Sequence, residues 1–307
     1  MCRCHTGDPR SLRALPGFWS KGYERIILAG IAAKHYTVVN VFDQYIIEWG
    51  LIPDGEPIAT PASRLLPVRR DGVPAMLKVA LEAEEAFGGL LMTWWDGEGA
   101  AKVLAQRGEA LLLERAEGKV SLADLSRNGR DDEATRIICA TVAKLHAPRS
   151  KPLPNLIPLT QWFRELEPAA ATHGGLLARS AEVARALFAD PRDIGVLHGD
   201  IHHDNILDFG DRGWLAIDPK RLIGERGFDY ANLFCNPDLA DLTRPVAARH
   251  FQGRLQTVAE AAGLERRRLL QWIVAWTGLS AAWFISDGQS PETDLTIAAL
   301  ALAELDR

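Results

Sequence analysis

The sequence predicts an α+β chain of two lobes, a small β-rich front and a larger helical back. Three observations lead there. Short apolar runs of strand length, separated by turn signals, crowd residues 41–117. Beyond Gly118 the apolar residues recur at three- and four-residue spacing, the signature of amphipathic helices. At 307 residues, 47% hydrophobic and 24% charged, the chain is long enough to bury a sizeable core split between two units. Residues 1–40, with Cys, Arg, Gly and Pro early, stay unassigned. The expected division is a front lobe over 41–117 and a helical lobe over 118–307.

From Val41 a helix-like pattern leads into Trp49-Gly50-Leu51-Ile52-Pro53-Asp54-Gly55, where the Pro-Asp-Gly turn ends it. Two strand-like runs follow, joined by Thr60-Pro61-Ala62-Ser63-Arg64, the second covering Leu65–Val68. Asp71-Gly72 is a hairpin signal, and Ala75–Val79 is a third strand. A helix rich in Glu and Ala is expected over Leu81–Trp95, then strands around Ala100–Leu104 and Ala110–Glu114. That makes five strands and one helix. Helices follow over Asp131–His146, Leu159–Thr172 and Leu176–Ala189, and again over Ala247–Ala262 and Arg266–Ile285. Between these groups, Ile206, Leu207 and Phe209 offer a short strand, Asp211 and Gly213 a turn, and Trp214–Ile217 a returning strand that ends in Asp218.

A formal net charge of -5 argues against nucleic acid as partner and suits a cationic small molecule. Cys2, Cys4, Cys139 and Cys235 are too few and scattered for a disulfide scaffold, so a reducing cytoplasm is the expected compartment. The apolar run Ile26–Ala33 is too short to span a bilayer, and the charged stretch ahead of it speaks against a signal peptide. No membrane partner is therefore expected. Nothing in the sequence speaks to oligomeric state.

The chemistry concentrates between His198 and Asp218, which read H-G-D-I-H-H-D-N-I-L, a turn, then W-L-A-I-D. An Asp-rich loop, a short strand and a second strand ending in Asp supply the polar groups that ATP-dependent phosphorylation needs: Asp200, Asn205 and Asp218. One Asp orients and deprotonates the acceptor hydroxyl, while an Asn and a second Asp hold the magnesium ions that neutralise the phosphates. Asn205 follows Asp200 by five residues, so a single loop turn can aim both at the γ-phosphate. The opposing reading is a hairpin of solvated acids.

With L-P-V-R-R-D-G-V-P-A-M-L-K-V, L-L-M-T-W-W-D-G-E-G-A-A-K-V-L, L-L-L-E-R-A-E-G, G-F-D-Y-A-N-L-F-C-N-P-D and W-T-G-L-S-A-A-W added, the chain resembles the aminoglycoside phosphotransferases of the protein-kinase-like fold, from about Phe42 to Leu302. The Trp-containing segments resemble the streptomycin 6-phosphotransferase branch. That resemblance implies Asp200 as base, Asn205 and Asp218 as magnesium ligands, and Lys78 as the lysine that grips the ATP phosphates. Glu82, Glu84 and Glu85 compete to orient Lys78, and Glu85 is favoured. Glu114, Arg115 and Ala116 resemble the hinge that meets adenine through its main chain. His198 and Asp229 resemble the pair that ties the catalytic loop to the next helix, and His202 and His203 read as loop packing.

Two features depart from the family pattern. Thr60-Pro61-Ala62-Ser63-Arg64 replaces the glycine-rich phosphate loop, leaving Ser63 as the phosphate contact there. Arg221 stands where the family often has Gly, near enough to the metal site to meet phosphate or to obstruct a cationic acceptor.

The expected reaction is transfer of the ATP γ-phosphate to the 6-hydroxyl of the streptidine ring of streptomycin. Its two guanidinium groups call for carboxylates, with Asp204, Glu225, Asp229, Asp238 and Asp287 as candidates. Competing readings are a kinase of another hydroxylated metabolite, a transition-metal hydrolase built on His198, Asp200, His202, His203 and Asp204, and a non-catalytic nucleotide-binding scaffold.

Overall fold

Gly50, at φ 61°, releases the chain from one helix into a sheet. The computed structural model describes the backbone of residues 41–81, 83–237 and 244–307, and the side chains of these outside 83–87 and 244–248. Residues 41–49 are helical (α1). The sheet comprises β1 (Leu51–Pro53), β2 (Ile58–Ala59), β3 (Ser63–Arg70) and β4 (Val73–Ala80), then, after helix α2 (Ala83–Trp95), β5 (Val103–Arg107) and β6 (Ala110–Glu114). It is antiparallel, in order β1-β3-β4-β6-β5, with β2 paired on β3.

Six strands stand where five were expected, because Leu51–Pro53 pairs with Val68–Arg70 at the sheet edge, where proline's missing donor is tolerated. The strand expected at Ala100–Leu104 begins later. The hairpin at Gly108 fixes the Arg107–Ala110 pair, while Ala100 and Ala101 bond instead to Ala216 in the helical part.

Strand alternation divides the front core. Leu77, Val79 and Leu112 pack with Phe42 and Tyr45 of α1 on one face. Leu111 and Leu113 pack on the other face with Met92, Ala101, Phe209 and Ile217. Successive side chains point to opposite faces, so Lys78, between Leu77 and Val79, turns to the second face, toward the helical part.

That part contains α3 (Leu122–Arg127), α4 (Asp131–His146), α5 (Leu166–His173), α6 (Gly175–Ala189), α7 (Arg244–Ala262), α8 (Arg266–Ser286) and α9 (Glu292–Leu305). In α4, acidic Asp131, Asp132 and Glu133 open the helix and Lys144 and His146 close it, complementing its dipole. The helix expected over Leu159–Thr172 is interrupted at Phe163–Glu165 by a tighter turn that faces Phe163 onto Phe188 and Phe228, with ring centroids at 5.2 and 5.8 Å. α8 is long and apolar enough to cross a membrane, but 72% of that window is buried inside the protein, as in a core helix.

A small sheet positions the loop between these helices. It has β7 (Ile157–Pro158) and β8 (Ile194–Leu197) as its outer strands. The chain then forms the hairpin β9 (Ile206–Asp208) and β10 (Trp214–Ala216), paired Trp214 to Asp208 and Ala216 to Ile206. β11 (Leu222–Glu225) lies between β7 and β8 and completes the small sheet.

Candidate active site

β8 delivers the chain directly into His198-Gly199-Asp200, and the loop that follows is cross-linked at each step. The Asn205 side-chain amide donates to the Asp200 carbonyl at 2.9 Å, and Ile217 N–H donates to the Asn205 carbonyl at 2.9 Å. His198 is fully buried; its Nε2 donates to the Ile217 carbonyl at 2.8 Å, while its Nδ1 accepts from Asp200 N–H at 3.2 Å. Burial holds its pKa below the usual histidine value, so the ring is neutral and both nitrogens are engaged. These bonds tie Asp200 to Asn205, and Asn205 to the residue before Asp218.

Asp229 fixes this loop from below. One oxygen accepts His198 N–H at 2.9 Å and the His146 ring at 2.7 Å, and the other accepts Gly199 N–H at 2.7 Å. Trp95, at the end of α2, stacks on His198 at 6.1 Å.

Lys78 is 8% exposed and its ammonium pairs with Asp218 Oδ1, joining sheet and loop across 140 residues. Asp218 itself adopts φ 64°, a left-handed conformation uncommon for a residue with a side chain. α2 lies close to the same turn: a Cβ on Gly88 would sit 2.7 Å from the Pro219 carbonyl, so only glycine allows that approach. The side chain of Glu85, like that of Glu84, lies outside the described residues, as do Glu82 and Asp238.

Beyond β6 the ladder ends at the Ala75–Glu114 pair. Glu114 accepts Lys102 N–H at 2.6 Å, and Arg115 donates to Asp54 at 2.6 Å and to Glu117 at 3.2 Å. These side chains are engaged elsewhere, which leaves the main chain of Arg115 and Ala116 as what this segment can offer a ligand. Gly118 N–H then donates to the Asp208 carbonyl at 3.0 Å, anchoring the segment to the hairpin.

The Ser63 hydroxyl, expected to meet phosphate, lies within a turn of its own. The residue is 4% exposed, and its hydroxyl lies 3.0 Å from Thr60 Oγ1, closing the turn that Arg64 also braces through the Thr60 carbonyl. Arg221 adopts φ 46°, which accounts for glycine at that position in the family pattern, and its guanidinium reaches the Asn155 carbonyl at 3.5 Å.

Two expected acceptor carboxylates are occupied otherwise. Glu225 is buried and bound by Arg268 at 2.6 and 2.8 Å and by Trp272 Nε1 at 2.8 Å. Asp229 is held beneath the loop as described, so both carboxylates are engaged within the chain. Asp204 is half-buried, and burial raises its pKa. Asp287 caps the exposed end of α8. Sequence reasoning missed Asn232, whose amide donates to Asp200 Oδ1 at 2.7 Å, and Lys220, whose ammonium lies 3.9 Å from Asp200 Oδ2. Asn232 stands three residues after Asp229, but no spacing rule marks it.

The side chains fit magnesium. Asn205 is 0% exposed, its amide nitrogen is engaged, and its Oδ1 has no hydrogen-bond partner. Burying such an oxygen is unfavourable without a partner, and a hard cation is a partner that an amide oxygen suits. A His/Asp cluster for a transition metal is not assembled: His198 has no free lone pair, and no group of three His, Cys, Asp or Glu among the described residues could hold such an ion.

The family model described as aminoglycoside/hydroxyurea antibiotic resistance kinase matches residues 48–288. A streptomycin 3''-kinase of Klebsiella pneumoniae is 54% identical over 264 residues, covering 84% of this chain and 99% of its own. A streptomycin 6-kinase of Streptomyces glaucescens is 32% identical over 288 residues, covering 90% of each. Among solved structures, a thermostable mutant of aminoglycoside phosphotransferase APH(4)-Ia, in ternary complex with ADP and hygromycin B, superposes with a TM-score of 0.57 over 85% of this chain and 98% of that one, at 17% identity. At that identity the likeness concerns the fold alone.

Proposed function

The chain belongs to the aminoglycoside/hydroxyurea antibiotic resistance kinase family, and from that premise we propose that it transfers the γ-phosphate of ATP to a hydroxyl of streptomycin, conferring resistance. The observation that carries the proposal is a buried Asn205 oxygen without a partner beside Asp200 and a Lys78–Asp218 pair. Asp200 takes the proton of the acceptor hydroxyl as its oxygen bonds to the γ-phosphorus and the bridging bond to ADP breaks. Asn205 and Asp218 would hold magnesium, which when bound neutralises phosphate charge. Lys78 grips the phosphates, and the main chain at Glu114, Arg115 and Ala116 meets the adenine edge. Residues 41–117 serve as the nucleotide lobe and 118–307 as the acceptor lobe. ATP as donor fits a cytoplasmic enzyme.

The acceptor position is a choice between two hydroxyls. The 6-hydroxyl was expected from sequence, whereas 54% identity to a 3''-kinase against 32% to a 6-kinase favours the 3''-hydroxyl. We adopt the 3''-position. The test is ADP release dependent on streptomycin, lowered about a hundred- to ten-thousandfold in Asp200→Ala, with the phosphorylated carbon assigned by NMR of the product. Normal turnover by Asp200→Ala defeats the mechanism, and a 6-phosphate product restores the other regiochemistry.

A further inference from the structure

The two oxygens of Asp200 have different surroundings. Oδ1 accepts a hydrogen bond from Asn232 Nδ2 at 2.7 Å and lies 3.9 Å from His202 Nε2, whereas Oδ2 has no hydrogen bond of that kind among the described residues and lies 3.9 Å from Lys220 Nζ. An amide group presents a donor on one side and an acceptor on the other, so it supports a carboxylate in only one of its two orientations. Asn236 selects that orientation. Its Nδ2 donates to Asn232 Oδ1 at 3.0 Å and to the Asn232 carbonyl at 3.1 Å. Turning the Asn232 amide over would set its oxygen against the carboxylate and its N–H groups against those of Asn236.

Asn236 is in turn fixed through its backbone. Arg254, 3% exposed, donates to the Leu233 carbonyl at 2.5 Å and to the Asn236 carbonyl, while its other nitrogens grip Asp131. The series runs from a buried ion pair on α4 and α7, through two amides, to the carboxylate at the centre of the site.

We infer that Asn232 is a positioning residue for phosphoryl transfer. It fixes Oδ1 of Asp200 so that Oδ2 is the oxygen presented to the acceptor hydroxyl, and Asn236 acts through Asn232 by locking its amide. The inference rests on Asp200 being the base of the proposed reaction. Holding a reacting group in one orientation contributes to rate without contributing to substrate affinity, so the effect belongs in kcat.

The test compares Asn232→Ala, Asn236→Ala and the double variant. Losing a hydrogen bond to a charged group should lower kcat of Asn232→Ala on the order of ten- to a hundredfold. KM for streptomycin and ATP should stay within about twofold. Asn236→Ala should lose less, and the double variant should be no worse than Asn232→Ala, because Asn236 has no other route to Asp200. Wild-type kcat in Asn232→Ala, or losses that multiply in the double variant, would overturn the inference. Should Asn232→Ala fail to fold, Asn236→Asp, which sets an acceptor against Asn232 Oδ1, carries the same expectation and the same failure. A crystal structure of the variant gives a readout independent of acceptor: the Asp200 carboxylate should leave its wild-type orientation, and an unmoved carboxylate overturns the inference. If wild-type protein releases no ADP with streptomycin, the proposed function fails while the crystallographic arm still decides this one.

Discussion

Asp229 and Glu225 are buried carboxylates on adjoining segments, yet they serve different corners of the molecule. Asp229 gathers two backbone N–H groups of the loop that carries Asp200, whereas Glu225 gathers Arg268 and Trp272 of α8. Asn205 Oδ1 is the contrast to both, buried with no donor at all. A buried oxygen whose donors are all supplied by the chain is holding structure together. In Asn205, next to Asp200, the oxygen that lacks a donor is the place a ligand would fit.

The largest effect expected from breaking this contrast is at Asp229. Asp229→Ala strands His198 N–H, Gly199 N–H and the His146 ring, and buried donors without partners are costly, so the loss of stability should be on the order of 5 kcal/mol. Turnover should fall about a hundredfold as the Asp200 backbone loosens. Urea denaturation and ADP release measure the two effects. Stability within about 1 kcal/mol of wild type would return Asp229 to the acceptor pocket.

At the other corner the consequence should be confined to stability. Arg268→Met leaves Glu225 charged and buried without its partner, which costs about 4 kcal/mol. Adding Glu225→Gln should recover much of that loss, because the unpaired charge is then gone. Across both variants kcat of the folded protein should stay at the wild-type value. A selective rise in KM for streptomycin in Glu225→Gln would show that this carboxylate faces the acceptor after all.

The same contrast explains what could be read from the chain. Asp200 and Asn205 share a loop, and Asp218 follows the next hairpin by two residues, so their nearness along the chain is what spacing reveals. Lys78 was named only through the family resemblance; its alternation away from Leu77 and Val79 emerges from the fold. Helix α4 was legible by periodicity from end to end. The roles of Asp229 and Glu225 depend on donors 31 and 43 residues away, and no pattern within the chain specifies which distant arginine or amide will arrive. Asn232 was missed for that reason. The edge strand at Leu51–Pro53 was hidden by a turn signal that only pairing with β3 overrides.

The smallest effect sharpens the contrast through pH. Asp294 on α9 is 3% exposed, with no cation paired to it among the described residues, and Cys235 Sγ lies 3.4 Å away. Burial pushes its carboxyl up from 3.8 to about 6, so it is intermediate between a fully supplied carboxylate and an orphaned oxygen. Below pH 3.8 the proton is bound in both the folded and the unfolded chain, and the group adds no pH dependence. Between there and about 6 the folded protein keeps a proton that the unfolded chain has released, so stability falls as pH rises. Above about 6 the full penalty of a buried charge is present. Asp294→Asn removes that penalty and should be more stable than wild type at pH 7.5 by about 1–3 kcal/mol, with the advantage shrinking as the pH is lowered toward 4. Thermal melts of the two proteins across that range check it. A difference that does not change with pH would mean that Asp294 stays charged in the folded state, held by a partner as Asp229 and Glu225 are.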